Sequence, residues 1–190
     1  MADLRYPIGQ FEWIPPESDE QMSKRRTQYM DVLAKLPVNL RAAIADLGAD
    51  QLDTPYRPDG WTVRQVVHHV PDSHINAYVR FKLALTEFEP RIKTYKEDMW
   101  AKLPDTSETP VETSLQLVEA LHARWVTLLR SMAPEDFART LHHPEHGLVS
   151  LDRMLAMYAW HSAHHVAHIT SLRERMGWNG QRKTVKPAAS

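Results

Sequence analysis

The chain has 190 residues, 43% of them hydrophobic and 25% charged, which is enough to bury one sizeable core. Its 23 Lys and Arg nearly balance its 24 Asp and Glu, giving a formal net charge of -1, so the electrostatic footprint of a nucleic-acid or anionic-membrane binder is missing. There is no cysteine, which excludes disulfides, Cys-ligated zinc, iron–sulfur clusters and an intrinsic thiol nucleophile together; any thiol chemistry must use a thiol from outside.

The opening residues Met1 to Pro7 contain no apolar h-region, so a cytoplasmic address is the expectation. The first sixteen residues place Tyr6, Phe11, Trp13 and Ile14 among prolines and read as an extended arm packed on the domain in a structural role. From Asp19 to Leu47, Met22, Tyr29, Val32, Leu33, Leu36, Leu40, Ile44 and Leu47 recur at roughly helical spacing and predict a first long helix, bent at Pro37, which lacks a backbone N–H and crowds the carbonyl four residues earlier. Turn formers from Asp53 to Gly60 end that stretch. Thr62 and Gln65 form a capping box for a second helix starting at Trp61 or Thr62, kinked at Pro71 and ending near Glu87 before Pro90. Thr109 as N-cap, Pro110 in the first helical position and Glu112 predict a third helix from Val111 to about Met132. A short helical turn at Pro134 to Phe137 and an irregular link follow, and Ser150 caps a last helix that ends before Gly177.

Four long helices predict an all-α four-helix bundle. No run of alternating β-branched residues asks for a sheet, and no repeat is evident. The domain is expected over residues 1–178, with 179–190 as a poorly ordered tail. Met154 to Leu172 is a run of 19 residues without Asp, Glu, Lys or Arg, long enough to cross a membrane, but His161, His164, His165, His168, Ser162 and Ser171 make it too polar for lipid.

Those histidines carry the chemistry. His161 and His165 are four apart and sit about 40° apart on one helix face, one turn above the other, so two imidazoles can share a metal. His164 and His168 lie on the same arc, in a stretch otherwise rich in apolar residues, where unpartnered imidazoles are costly to bury. The second helix offers His68, His69 and His74 in V-V-H-H-V-P-D-S-H, with Asp72 three residues beyond His69. One histidine from it and the pair from the last helix would form a three-His cup, leaving a metal an open position for chemistry. The glycines form neither a phosphate loop nor a dinucleotide fingerprint, and no G-x-S-x-G elbow occurs.

W-T-V-R-Q-V-V-H-H-V-P-D at 61 to 72 and W-H-S-A-H-H-V-A-H at 160 to 168 resemble the DinB superfamily, especially its YfiT-like group. The likeness also covers Y-P-I-G at 6 to 9, the L-D-T-P-Y-R-P-D-G-W loop, R-F-K-L-A-L-T-E at 80 to 87 and H-H-P-E-H-G at 142 to 147. The resemblance implies an up-and-down four-helix bundle and a metal-dependent hydrolase, with one divalent ion, zinc or nickel, held by His69, His161 and His165. It also implies a homodimer, and an alternative activity as a transferase of a low-molecular-weight thiol such as bacillithiol or mycothiol. A non-catalytic metal-binding module is the third reading. Many members of the superfamily carry H-R-G-Q where this chain has His165, Val166, Ala167 and His168, so roles attached to that Arg and Gln do not carry over.

The other residues have plainer readings. His68 points about 100° away from His69 and suits helix packing. His164 and His168 could support the ligands or face substrate, or could simply be hydrogen-bonded. Asp72 could orient His69 or act as a base, although an exposed helix carboxylate is the commoner case. His142, His143 and His146 read first as turn chemistry, and Met154 and Met157 as core.

Overall fold

The computed structural model describes residues 3–178; the expected tail lies outside them. The first long helix, α1 (Asp19–Ile44), starts at Ser18, whose Oγ accepts the Gln21 N–H at 3.2 Å, with Asp19 and Glu20 at the positive end of the helix dipole. It runs through Pro37 and stops at Ile44, short of the expected Leu47, because Asp46 takes a left-handed φ of 63°. Arg173 from the last helix donates to the Ala43 and Ala45 carbonyls at this end, at 2.9 and 2.8 Å.

After the short α2 (Ala49–Leu52), α3 (Val63–Thr86) opens with the expected capping box: Thr62 accepts the Gln65 N–H at 3.1 Å and Gln65 accepts the Thr62 N–H at 2.9 Å. Two short helices, α4 (Glu97–Trp100) and α5 (Pro104–Glu108), then occupy the connection to the next long helix. They change the start of α6 (Val111–Ser131). Thr109 closes α5, its N–H bonded to the Asp105 carbonyl, so Pro110 rather than Thr109 stands at the cap position of α6 and brings no side-chain oxygen. The helical turn α7 (Pro134–Phe137) is as expected.

The link after α7 is not irregular. β1 (Thr140–His143) and β2 (Gly147–Ser150) form an antiparallel hairpin that pairs Leu141 with Val149 and His143 with Gly147, which turns at φ 68°. Each strand has four residues, too few for alternation to stand out in sequence, yet Leu141 and Val149 are both buried in the core. The last helix, α8 (Leu151–Arg175), has Ser150 Oγ accepting the Arg153 N–H, and ends as expected at Gly177, φ 67°.

The four long helices make the expected all-α bundle, but their directions depart from strict up-and-down alternation. α1 packs on α6 and α8, and α3 packs on the same two, so α1 and α3 face each other across the diagonal. Arg26 meets Asp152 near the starts of α1 and α8, and Arg173 meets α1 near the ends of both, so these two run parallel. His68 meets Ser114 near the starts of α3 and α6, which therefore also run parallel. A parallel pair needs a connection that returns along the bundle. Residues 87–110 provide it: Ile92 N–H and Pro90 carbonyl bond to His142 on β1, and further on Ala101 and Asp98 are held by Gln65 and Trp61 at the start of α3.

The core divides into two apolar clusters. One contains Leu33, Ala77, Phe81, Trp125 and Tyr158, and the other Leu36, Val70, Val118 and Ile169. The arm is not extended throughout: it makes two turns between Asp3 and Gly9 before running on without regular structure, and it is tied down by Trp160 Nε1 donating to the Gly9 carbonyl, by His168 Nε2 donating to the Arg5 carbonyl, and by Arg25 donating to the Ile14 carbonyl. No helix among the described residues is long and apolar enough to cross a membrane.

The Arg26–Asp152 pair is bidentate, at 2.7 and 2.8 Å, and largely shielded from water. Asp152→Ala leaves the guanidinium unpaired there and is expected to lower stability by about 1–2 kcal/mol in urea unfolding. A change below about 0.3 kcal/mol would show that the pair carries no net stability.

Candidate metal centre

On α3, α6 and α8 a histidine falls between the two apolar clusters. His74 lies between Val70 and Ala77, His122 between Val118 and Trp125, and His161 and His165 between Tyr158 and Ile169. The bundle therefore carries a layer of imidazoles across its middle. Antiparallel packing of α3 against α8 brings His69 to the helical pair, and His69, His161 and His165 offer ring nitrogens that all lie within 4.8 Å of one another. His161 Nε2 is 3.4 Å from His69 Nε2 and 3.1 Å from His165 Nε2.

Burial keeps these rings uncharged. His69 is pushed down to about 4 by desolvation, and His161 and His165 well below the ordinary histidine value, first by desolvation and then by neighbouring histidines. Uncharged imidazole is the metal-binding form. Nitrogens held about 2.0–2.1 Å from a tetrahedral ion stand about 3.3–3.4 Å apart, so the spacings around His161 suit an ion.

His161 opens onto a cleft of about 660 Å³. Ser73, Arg80 and Tyr158 line it from the bundle, Tyr95 from the return segment, and His143, Glu145 and His146 from the hairpin. Phe11 adds the N-terminal arm to its wall, so the arm does more than pack. Arg80 is buried; it donates to the Tyr158 hydroxyl at 3.4 Å and the Lys93 carbonyl at 3.1 Å, and makes no ion pair among the described residues.

The remaining candidates lie elsewhere. His68 turns to α6 and its Nδ1 is 2.7 Å from Ser114 Oγ, a packing contact. His164 stacks on Trp160 with ring centroids 4.3 Å apart, and His168 stacks on Tyr56 at 3.9 Å while holding the arm at Arg5. Neither has a nitrogen in the His69–His161–His165 cluster. The Asp72 carboxylate makes no hydrogen bond to any of the three histidines among the described residues.

Behind the cluster lies a contact that sequence reasoning missed. His161 Nδ1 is 3.1 Å from His74 Nε2, His74 Nδ1 is 2.9 Å from His122 Nε2, and His122 Nδ1 is 2.7 Å from the Leu33 carbonyl oxygen. His122 had one sequence signal: it occupies the same buried stripe of α6 as Leu115, Val118, Trp125 and Leu129, where an unpartnered imidazole is costly.

Burial and then Asp105 raise the Asp72 carboxyl from 3.8 to about 6. Because the folded value is the higher one, charging Asp72 opposes folding: the penalty is absent below about pH 4 and complete above about pH 6. Asp72→Asn is expected to match the wild-type unfolding free energy at pH 4 and to exceed it by about 1–2 kcal/mol at pH 7, after allowance for partial exposure. An equal difference at both pH values would contradict this.

The DinB superfamily model matches residues 33–169. A relative from Bacillus mycoides (strain KBAB4) is 54% identical over 178 residues, spanning 94% of this chain and 100% of that one. One from Bacillus cereus (strain 03BB102) is 55% identical over the same spans, and both are provisionally named metal-dependent hydrolases. Among solved structures, YfiT from Bacillus subtilis, described as a probable metal-dependent hydrolase with an unusual four-helix bundle topology, aligns with a TM-score of 0.86 and 46% identity, over 93% of this chain and 99% of its own. With its histidine cluster between α3 and α8 and a family match over most of its length, this chain belongs to the DinB superfamily.

Proposed function

We propose that the protein is a hydrolase working with a single divalent ion, zinc or nickel, held by His69, His161 and His165. The observation that carries this reading is the convergence of three uncharged imidazoles beside a cleft large enough for a small-molecule substrate. The relatives' names agree with it. When bound, the ion supplies Lewis acidity that polarises a scissile group and acidifies water near neutral pH.

The chain's own residues supply the rest. Burial keeps the Tyr158 hydroxyl protonated, so it can donate to a substrate oxygen in the cleft. Arg80, without an ion pair among the described residues, places its guanidinium in the same wall, where it favours negative charge developing on a carbonyl oxygen. Phe11, Met157 and Trp160 give the cleft an apolar side that limits water.

Metal analysis of the purified protein is expected to find about one ion per chain, most of it lost in His165→Ala and retained in His68→Ala. Equal metal in wild type and His165→Ala would overturn the ligand assignment. Metal-dependent turnover in a panel of esters and amides supports hydrolysis. Consumption of a low-molecular-weight thiol with an electrophile, and no hydrolysis, would overturn it in favour of thiol transfer. Tight metal binding without either turnover would indicate a binding module.

A further inference from the structure

The contact from His161 through His74 and His122 to Leu33 crosses the whole bundle, taking one group from each of α8, α3, α6 and α1. Its end is unusual. In α1 the Leu33 carbonyl would normally accept the N–H of residue 37, but that residue is Pro37 and has none. The freed oxygen faces His122 Nδ1 at 2.7 Å.

A carbonyl oxygen only accepts, so His122 must carry its proton on Nδ1 and leave Nε2 as an acceptor. His74 must then donate from Nδ1 to His122 Nε2, which leaves His74 Nε2 as an acceptor. His161 must donate from Nδ1 to His74 Nε2. This order holds because both inner rings are uncharged: His74 and His122 are buried with no carboxylate bonded to either among the described residues, and an imidazolium there would be costly. The consequence reaches the cluster: His161 Nε2 bears a lone pair aimed at His69 and His165.

We infer that His74 and His122 are positioning residues, which with the Leu33 carbonyl hold His161 in one tautomer and orientation with Nε2 ready to bind the ion. This rests on the reading that the three-histidine cluster holds a metal. Trp125 and Tyr158 meet the His74 ring edge-to-face, at centroid separations of 5.7 and 5.3 Å, which limits its rotation. Among the described residues, His161 alone of the three clustered histidines has its Nδ1 hydrogen-bonded, and His165 Nδ1 is buried without a partner. The chain therefore acts on one ligand. Outer hydrogen bonds of this kind are worth about 10- to 100-fold in metal affinity.

The test begins with metal-free wild-type protein, by nitrogen NMR of the imidazole rings. His161, His74 and His122 are each expected as the Nδ1–H tautomer, and an Nε2–H form at any of them overturns the inference. Zinc affinity is then measured by chelator competition in two variants, with folding checked by circular dichroism. His122→Leu, which can neither donate nor accept, is expected to bind zinc about 10- to 100-fold more weakly and to show mixed tautomers at His161. His122→Gln, whose amide offers one donor and one acceptor, is expected to recover much of the loss. Wild-type affinity with a single His161 tautomer in folded His122→Leu would overturn the inference. If wild-type protein takes up no zinc or nickel, the metal reading falls, while the spectra of the metal-free protein still decide the tautomer chain.

Discussion

Polar groups buried across the middle of an apolar core are costly to leave unpaired, because a lost partner costs more than a hydrogen bond returns. The bundle meets that constraint along one line. Three imidazoles and one backbone carbonyl follow each other through all four long helices, and every contact has a donor on one side and an acceptor on the other. The line also fixes how the helices are set against one another. Sliding α6 along α3 by one turn would bring Val118 or Trp125, rather than His122, opposite His74, and would strand two buried rings.

The return segment links this constraint to a usable site. Because α3 and α6 run parallel, the chain between them has to travel back along the bundle, and it does so over the open side of the histidine cluster. Tyr95 and its neighbours thereby become a wall of the cleft. The hairpin joins the same wall through His143 and Glu145, anchored by the bonds between β1 and the start of the return segment. Parts of the chain far apart in sequence meet at one cavity because the topology requires a crossover there.

Much of this was legible in the sequence wherever the cause was local. Helix boundaries at Thr62, Ser150 and Gly177 follow from caps a few residues long, and the pairing of His161 with His165 follows from helical spacing alone. The family likeness supplied His69, since the composition of α3 offered three histidines without ranking them. What could not be read was set by partners distant in sequence. The partner of His122 cannot be named until α3 and α6 are known to run parallel, and that direction is decided by a return segment whose short helices have no strong periodicity. The same helices displaced the cap of α6 from Thr109 to Pro110. The hairpin escaped because strands of four residues give alternation no length in which to show.

Pro37 carries a consequence for anyone redesigning this fold. Judged by helix propensity alone, a proline inside α1 is a defect, and alanine there would be a routine choice for greater thermal resistance. An alanine N–H, however, would compete with His122 for the Leu33 oxygen. A scoring scheme that counts only backbone hydrogen bonds would therefore favour a change that loosens the histidine cluster from the opposite side of the bundle. At this position the hydrogen bond that α1 forgoes is the one whose absence leaves the Leu33 oxygen free for His122.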